Sequence, residues 1–178
     1  MDGEKTLTIL IITFLFEIKR MKAATLNELK HELSHLPAEE LLDLCTRLAR
    51  FKKENKELLT FLLFEAHDER SYIVSVKESV ASEMDEIPKD NNLYLIKKSL
   101  RKVLRNATKY IRYSGSKIVE VEVLLFFCEQ LKDSGIAIHK SQAIVNLYEM
   151  QLKKINKTIA LLHEDLQYDY HRQMEAFL

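Results

Sequence analysis

Apolar residues recur along most of this chain at intervals of three and four, the spacing of helices packed on one face. Thr25 and Glu28 have the spacing of a capping box. Leu26, Leu29, Leu33 and Leu36 then share one stripe, which predicts a short amphipathic helix to about His35. Pro37 opens a second helix, on which Leu41, Leu44, Leu48 and Phe51 repeat as far as Lys52. After the polar link KKENK, a third helix from Glu57 is predicted to run or bend past His67–Arg70 to Glu86. Pro88 and KDNN make the clearest break, with Asp90 or Asn91 expected to cap a helix ending near Tyr113. A fifth helix carries VEVLLFFCEQL and stops at Gly135, and Ser141 is placed to cap the last. From Val145 through Tyr148, Leu152, Ile155, Ile159, Leu162 and Leu166 the average period is 3.5 residues. It then slides to Tyr170, Met174 and Phe177, which predicts one continuous C-terminal helix of about 50 Å at 1.5 Å per residue.

The fold class expected is therefore all-α: a multi-helix bundle or a short α-solenoid of helical hairpins, such as a HEAT-like right-handed superhelix, with a long C-terminal helix. A faint echo at a separation of 62 residues describes helix, short polar link and apolar helix twice over, as an α-solenoid or a two-hairpin bundle would be built. It sets Phe51 on Tyr113, Leu62 on Leu124, Leu63 on Leu125, Phe64 on Phe126 and Ala66 on Cys128, with Arg47 and Arg50 on Lys109 and Arg112.

Composition agrees with this. Three Gly and two Pro in 178 residues leave little of the punctuation that hairpins need, while 47% hydrophobic and 30% charged residues suit a folded, solvated chain. Cys45 and Cys128 have no CxxC partner and sit in apolar helical context, so both are expected to be buried free thiols of a reducing cytosol. Residues 1–20 read as an apolar N-terminal extension. Its core, Thr6 to Phe16, is too short to span a bilayer, and Asp2 and Glu4 spoil the basic lead-in of a signal peptide. Met21 is an alternative start, since MKAATLNELKHEL opens directly onto a capped helix, and residues 21–178 are expected to form one helical domain.

Charge is the most polarised feature. Lys97 to Lys117 holds eight basic residues and no acidic one, in a chain of net charge zero. On a helical wheel Leu93, Ile96, Leu100, Val103, Leu104, Ala107 and Ile111 form the packing face. Lys98, Arg101, Lys102, Arg105, Lys109 and Arg112 fill the opposite arc. With Lys117 after the SGS turn, these are the candidate residues for an anionic partner. Tyr94 or Tyr113 is available to stack, and the SGSK link offers backbone N–H groups as an anion seat. The competing account is internal: residues 54 to 90 hold ten acidic residues against four basic ones, a net of −6, and can pair with the helix.

Catalytic patterns are sparse. HELSH, His31 to His35, matches the H-E-x-x-H zincin pattern, two imidazoles for zinc with Glu32 as general base. At 100° per residue, however, both histidines fall opposite the leucine stripe, Pro37 closes the helix at once, and Glu54 or Glu57 is only a nominal third ligand. His67, Asp68 and Glu69 can form a polar cluster with His163, Glu164, Gln167 and His171 if their helices meet, and His139 joins no ligand spacing. No P-loop, GxGxxG or nucleophile elbow is present.

KENKELLTFLLFEAHDE and KYIRYSGSK resemble segments of small all-helical bacterial proteins that carry no assigned function. The resemblance covers most of residues 22 to 170, implies a bacterial cytoplasmic setting and transfers no site. The leading functional expectation is a non-enzymatic helical protein-interaction or scaffold module without cofactor, bound metal or small-molecule substrate, acting through a protein partner or self-association. Nucleic-acid binding through the basic helix 97–117 is the alternative, and a zinc metalloprotease at HELSH the second.

Overall fold

The computed structural model describes residues 23–88 and 92–177, and every regular element among them is helical. The apolar extension 1–20, the start at Met21 and the cap at Asp90 or Asn91 lie outside the described residues. The chain divides into two compact units, Met1–Phe51 and Lys52–Leu178.

The described part of the first unit is α1 (Leu26–Ser34) and α2 (Ala38–Phe51). The capping box forms as the sequence predicts: the Glu28 backbone N–H donates to the Thr25 hydroxyl at 3.3 Å, and the Thr25 N–H donates to the Glu28 carboxylate at 2.7 Å. The leucine stripe behaves differently. Neither helix has a buried residue, and Leu26 is 81% exposed.

The second unit holds α3 (Lys53–Thr60), a π-helical turn (Phe61–Glu65), α4 (Glu69–Asp85), α5 (Leu93–Ser114), α6 (Lys117–Asp133), α7 (Gln142–Ile159) and α8 (Glu164–Met174). Its centre is α6. VEVEVLLFFCEQL is apolar almost all round, so it packs on three neighbours, α4, α5 and α7, and buries Leu124, Phe127, Cys128 and Leu131 completely. α5 packs with the predicted face: Ile96, Leu100, Val103, Ala107 and Ile111 are buried, with Leu93 and Leu104 partly so. Burial pushes the Cys128 thiol up to about 12, which leaves it protonated and inert.

Four expectations are corrected. KKENK is not a link, because α3 starts at Lys53. α5 is capped by Asn92, whose side chain accepts from the Leu95 N–H at 3.3 Å. The long C-terminal helix is two helices: α7 stops at Ile159, and after a turn His163 Nδ1 accepts from the Asp165 N–H at 3.4 Å to start α8. The turn allows α8 to fold back on α7, so Tyr170 and Met174 enter the core instead of extending the spine. The 62-residue echo has no structural counterpart, since Leu62, Leu63 and Phe64 are exposed on the π turn while Leu124 and Leu125 are buried in α6.

The expected stop at Gly135 holds, and Gly115 supplies a second one. Gly115 (φ +64°) ends α5 and Gly135 (φ +73°) follows α6, each in the left-handed region. A Cβ on Gly115 meets nothing within 4 Å, so Gly115→Ala isolates the backbone penalty. Its expected cost, read by urea denaturation, is about 1 kcal/mol.

Candidate nucleic-acid interface

α5 turns its charges away from the core because its apolar residues recur on one side only. From Lys98 to Arg112 the cationic arc runs about 21 Å along the axis, at 1.5 Å per residue. The seven candidate residues separate into five and two. Lys98, Arg101, Lys102, Arg105 and Arg112 are exposed and make no ion pair among the described residues.

Lys109 and Lys117 are engaged. Lys109 Nζ lies 2.7 Å from Glu57 Oε2 and 4.8 Å from the Tyr110 ring centroid, while the Tyr113 hydroxyl donates to the same carboxylate at 2.9 Å. The hydrogen bond from Lys109 holds the Glu57 carboxyl below its usual range, against the opposing effect of burial. Tyr113 is thereby withdrawn from stacking. Lys117 pairs with Glu120 at 3.3 Å.

The SGSK seat is also filled. Ser114 Oγ accepts from the Ser116 N–H at 3.3 Å, Ser116 Oγ accepts from the Val119 N–H at 3.4 Å, and the acidic Glu120 stands in the first turn of α6. An incoming anion would meet capped donors and a carboxylate.

The acidic segment therefore neutralises little of the arc. Glu57 reaches Lys109, and Glu83 accepts from Asn106 Nδ2 at 2.9 and 3.0 Å, both on the flank of α5. Lys77, on α4, pairs instead with Glu122 of α6 at 2.6 Å. Sequence separation concealed this, because α4 packs on the apolar side of α5 and its carboxylates stop short of the opposite arc. Tyr94, one turn before Lys98, is 67% exposed, with Lys97 Nζ 5.4 Å from its ring centroid. One aromatic face and five cations thus share a single exposed arc.

No family model, curated protein or solved structure matches the chain.

The other candidate sites are less developed. His31 and His35 are exposed with ring centroids 4.6 Å apart; His35 Nδ1 lies 2.7 Å from the His31 carbonyl oxygen, and His31 Nδ1 lies 3.3 Å from Glu32 Oε1. Among the described residues no group of three or more His, Cys, Asp or Glu is placed to hold a metal ion, so they supply no third ligand to HELSH and no cluster around His67, His163 and His171. Cys45, expected to be buried, is exposed, because the face of α2 that carries it buries nothing. No helix among the described residues is long and apolar enough to cross a membrane.

A cavity of about 280 Å³ opens between the π turn, α4 and α5, where the Ala66 N–H donates five residues back to the Phe61 carbonyl and swings Phe61 inward onto Tyr72. The sequence pattern gave no sign of it. The Tyr72 hydroxyl donates to the Tyr110 carbonyl at 2.9 Å, and no buried side-chain nitrogen or oxygen among the described residues lacks a partner.

Proposed function

We propose that the chain is a non-enzymatic interaction module that docks a single strand of nucleic acid on the cationic face of α5. The observation that carries this reading is the row of five exposed, unpaired cations, Lys98, Arg101, Lys102, Arg105 and Arg112, on one arc with the exposed Tyr94. A row of that kind tracks a phosphate backbone, and a tyrosine face accepts a base of any identity, so binding is tolerant of sequence. The carboxylates of an acidic protein surface supply the charge but do not themselves stack on Tyr94. A cytoplasmic setting belongs to the same reading.

Fluorescence anisotropy with labelled single-stranded RNA and DNA tests it. Five phosphate contacts at a slope of about −0.7 each give a total near −3.5, so raising salt from about 50 to 200 mM weakens binding about 100-fold. Arg101→Glu, Arg105→Glu and Arg112→Glu together abolish binding while leaving the circular dichroism spectrum unchanged, since all three side chains are exposed. Absence of binding at low salt, or binding indifferent to the triple substitution, overturns the proposal and leaves acidic protein as the class of partner to pursue.

A further inference from the structure

We infer that the cavity between the π turn, α4 and α5 takes a small quaternary ammonium ion, held by aromatic rings and by the charge of Glu65. The site shares α5 with the nucleic-acid reading, but none of the five unpaired cations of that reading lines it.

The walls are the first observation. Two aromatic pairs meet at the cavity: Phe61 with Tyr72, ring centroids 4.6 Å apart, and Tyr110 with Tyr113, 6.2 Å apart. The bond from the Tyr72 hydroxyl to the Tyr110 carbonyl at 2.9 Å ties one pair to the other. Phe61 is buried while Leu62, Leu63 and Phe64 beside it are exposed, so the π turn serves to deliver one ring of the wall. A volume of about 280 Å³ suits a small guest, since drug-sized ligands occupy roughly 300–1,000 Å³. A ring face attracts a cation within about 6 Å of its centroid, and Lys109 Nζ already stands 4.8 Å from that of Tyr110.

Charge selects a cation over a neutral guest. The lining holds two carboxylates, Glu57 and Glu65, and no Lys or Arg. Glu57 is answered by Lys109 at 2.7 Å and by Lys53 at 3.7 Å, while Glu65 makes no ion pair among the described residues. Its field reaches the wall: burial, and after it the negative charge of Glu65, raises the Tyr72 hydroxyl above its usual range. The Tyr72 ring therefore stays neutral beside an unanswered carboxylate.

Hydration selects a quaternary cation over a primary one. The Tyr72 and Tyr113 hydroxyls are spent on the Tyr110 carbonyl and on Glu57, and the Glu57 carboxylate is taken up by its lysines. An –NH3+ group is a compact, strongly hydrated charge with three donors, and it gives up water reluctantly for aromatic surface. A trimethylammonium head has no N–H to satisfy, and its methyl groups pack on ring faces while the charge is felt through them.

An NMR titration of the full chain tests the site with choline, its neutral isostere dimethylbutanol, in which carbon replaces the charged nitrogen, and its primary analogue ethanolamine. Choline is expected to shift the resonances of Phe61, Tyr72, Tyr110 and Tyr113 with a Kd of about 1 mM or tighter, and the other two to bind at least about tenfold more weakly. Glu65→Lys, at an exposed position, weakens choline at least about tenfold and leaves dimethylbutanol unchanged, because only the charged guest meets a like charge. Tyr110→Phe keeps the ring and the affinity within about twofold, whereas Tyr110→Leu loses about fivefold or more. Absence of shifts at about 10 mM choline, or equal binding of dimethylbutanol or ethanolamine, overturns the inference. Choline binding indifferent to Glu65→Lys, or shifts confined to residues outside the cavity, overturns it as well.

Discussion

Leu124→Ala is expected to lower the unfolding free energy by about 3 kcal/mol, whereas Leu62→Ala changes it by less than about 0.5 kcal/mol. The two leucines are matched by the 62-residue echo, each followed by another leucine, and only their surroundings differ. Leu124 is fully buried on α6, the helix that α4, α5 and α7 all contact. Truncation there loses the transfer energy of the side chain and leaves a void. The void closes poorly, because neighbours such as Val121, Phe127 and Cys128 are themselves completely buried. Leu62 stands 56% exposed on the π turn and surrenders little packing. Against a total of roughly 5–15 kcal/mol for a domain, the first change removes a large fraction of the stability of the second unit. Urea denaturation followed at 222 nm measures both. Equal costs would show that Leu62 is covered, contrary to its exposure.

The contrast also shows where reading from sequence succeeds. The packing face of α5 was legible residue by residue, since Ile96, Leu100, Val103, Ala107 and Ile111 hold one phase for four turns. The all-α class followed from the same regularity. The π turn was not legible, because an i to i+5 hydrogen bond at Phe61 shifts the phase of FLLF by one residue without any glycine or proline to announce it. The break at Ala160 is similar: a 3.5-residue period continues through Leu162 and Leu166, while the chain turns and restarts at His163.

The candidate interface was half legible. Periodicity put the cations on one arc, but which of them meet carboxylates depends on tertiary placement. A net charge of −6 over residues 54–90 does not say where Glu57 and Glu83 point. Glu57 engages Lys109 and Glu83 engages Asn106, which leaves Arg101, Arg105 and Arg112 to the solvent. Unit 1 shows the opposite failure, since the stripes of α1 and α2 look like core positions and bury nothing among the described residues. An amphipathic pattern states that a face wants cover without stating what provides it.

Lys154→Met is expected to destabilise the second unit by about 1–2 kcal/mol at neutral pH, with the cost shrinking towards zero as the pH falls to about 3. Glu120 is the buried carboxylate of the unit, 8% exposed, and its Oε1 lies 2.9 Å from Lys154 Nζ while Oε2 lies 3.3 Å from Lys117 Nζ. Burial raises its carboxyl, but the bonds and charge of Lys154, assisted by Lys117, outweigh burial and hold it below the usual range. A folded-state value below the unfolded one means stability that is present above the unfolded carboxyl range and lost as pH falls through the lowered folded value. Removing Lys154 takes away the larger of the two attractions and leaves burial opposed only by the half-exposed Lys117. The carboxyl then rises, and the acid-labile contribution goes with it. Lys154 is itself 42% exposed and loses little by its own removal, which keeps the cost well under that of breaking a fully buried pair. Urea titrations of both proteins between about pH 3 and 7 give the difference curve, in which other carboxylates cancel. In a Glu120→Gln background Lys154→Met costs less than about 0.5 kcal/mol, because the charge it answers is gone. A difference independent of pH, or one that persists in that background, would mean that Lys154 acts through the packing of its methylene stem and not through Glu120.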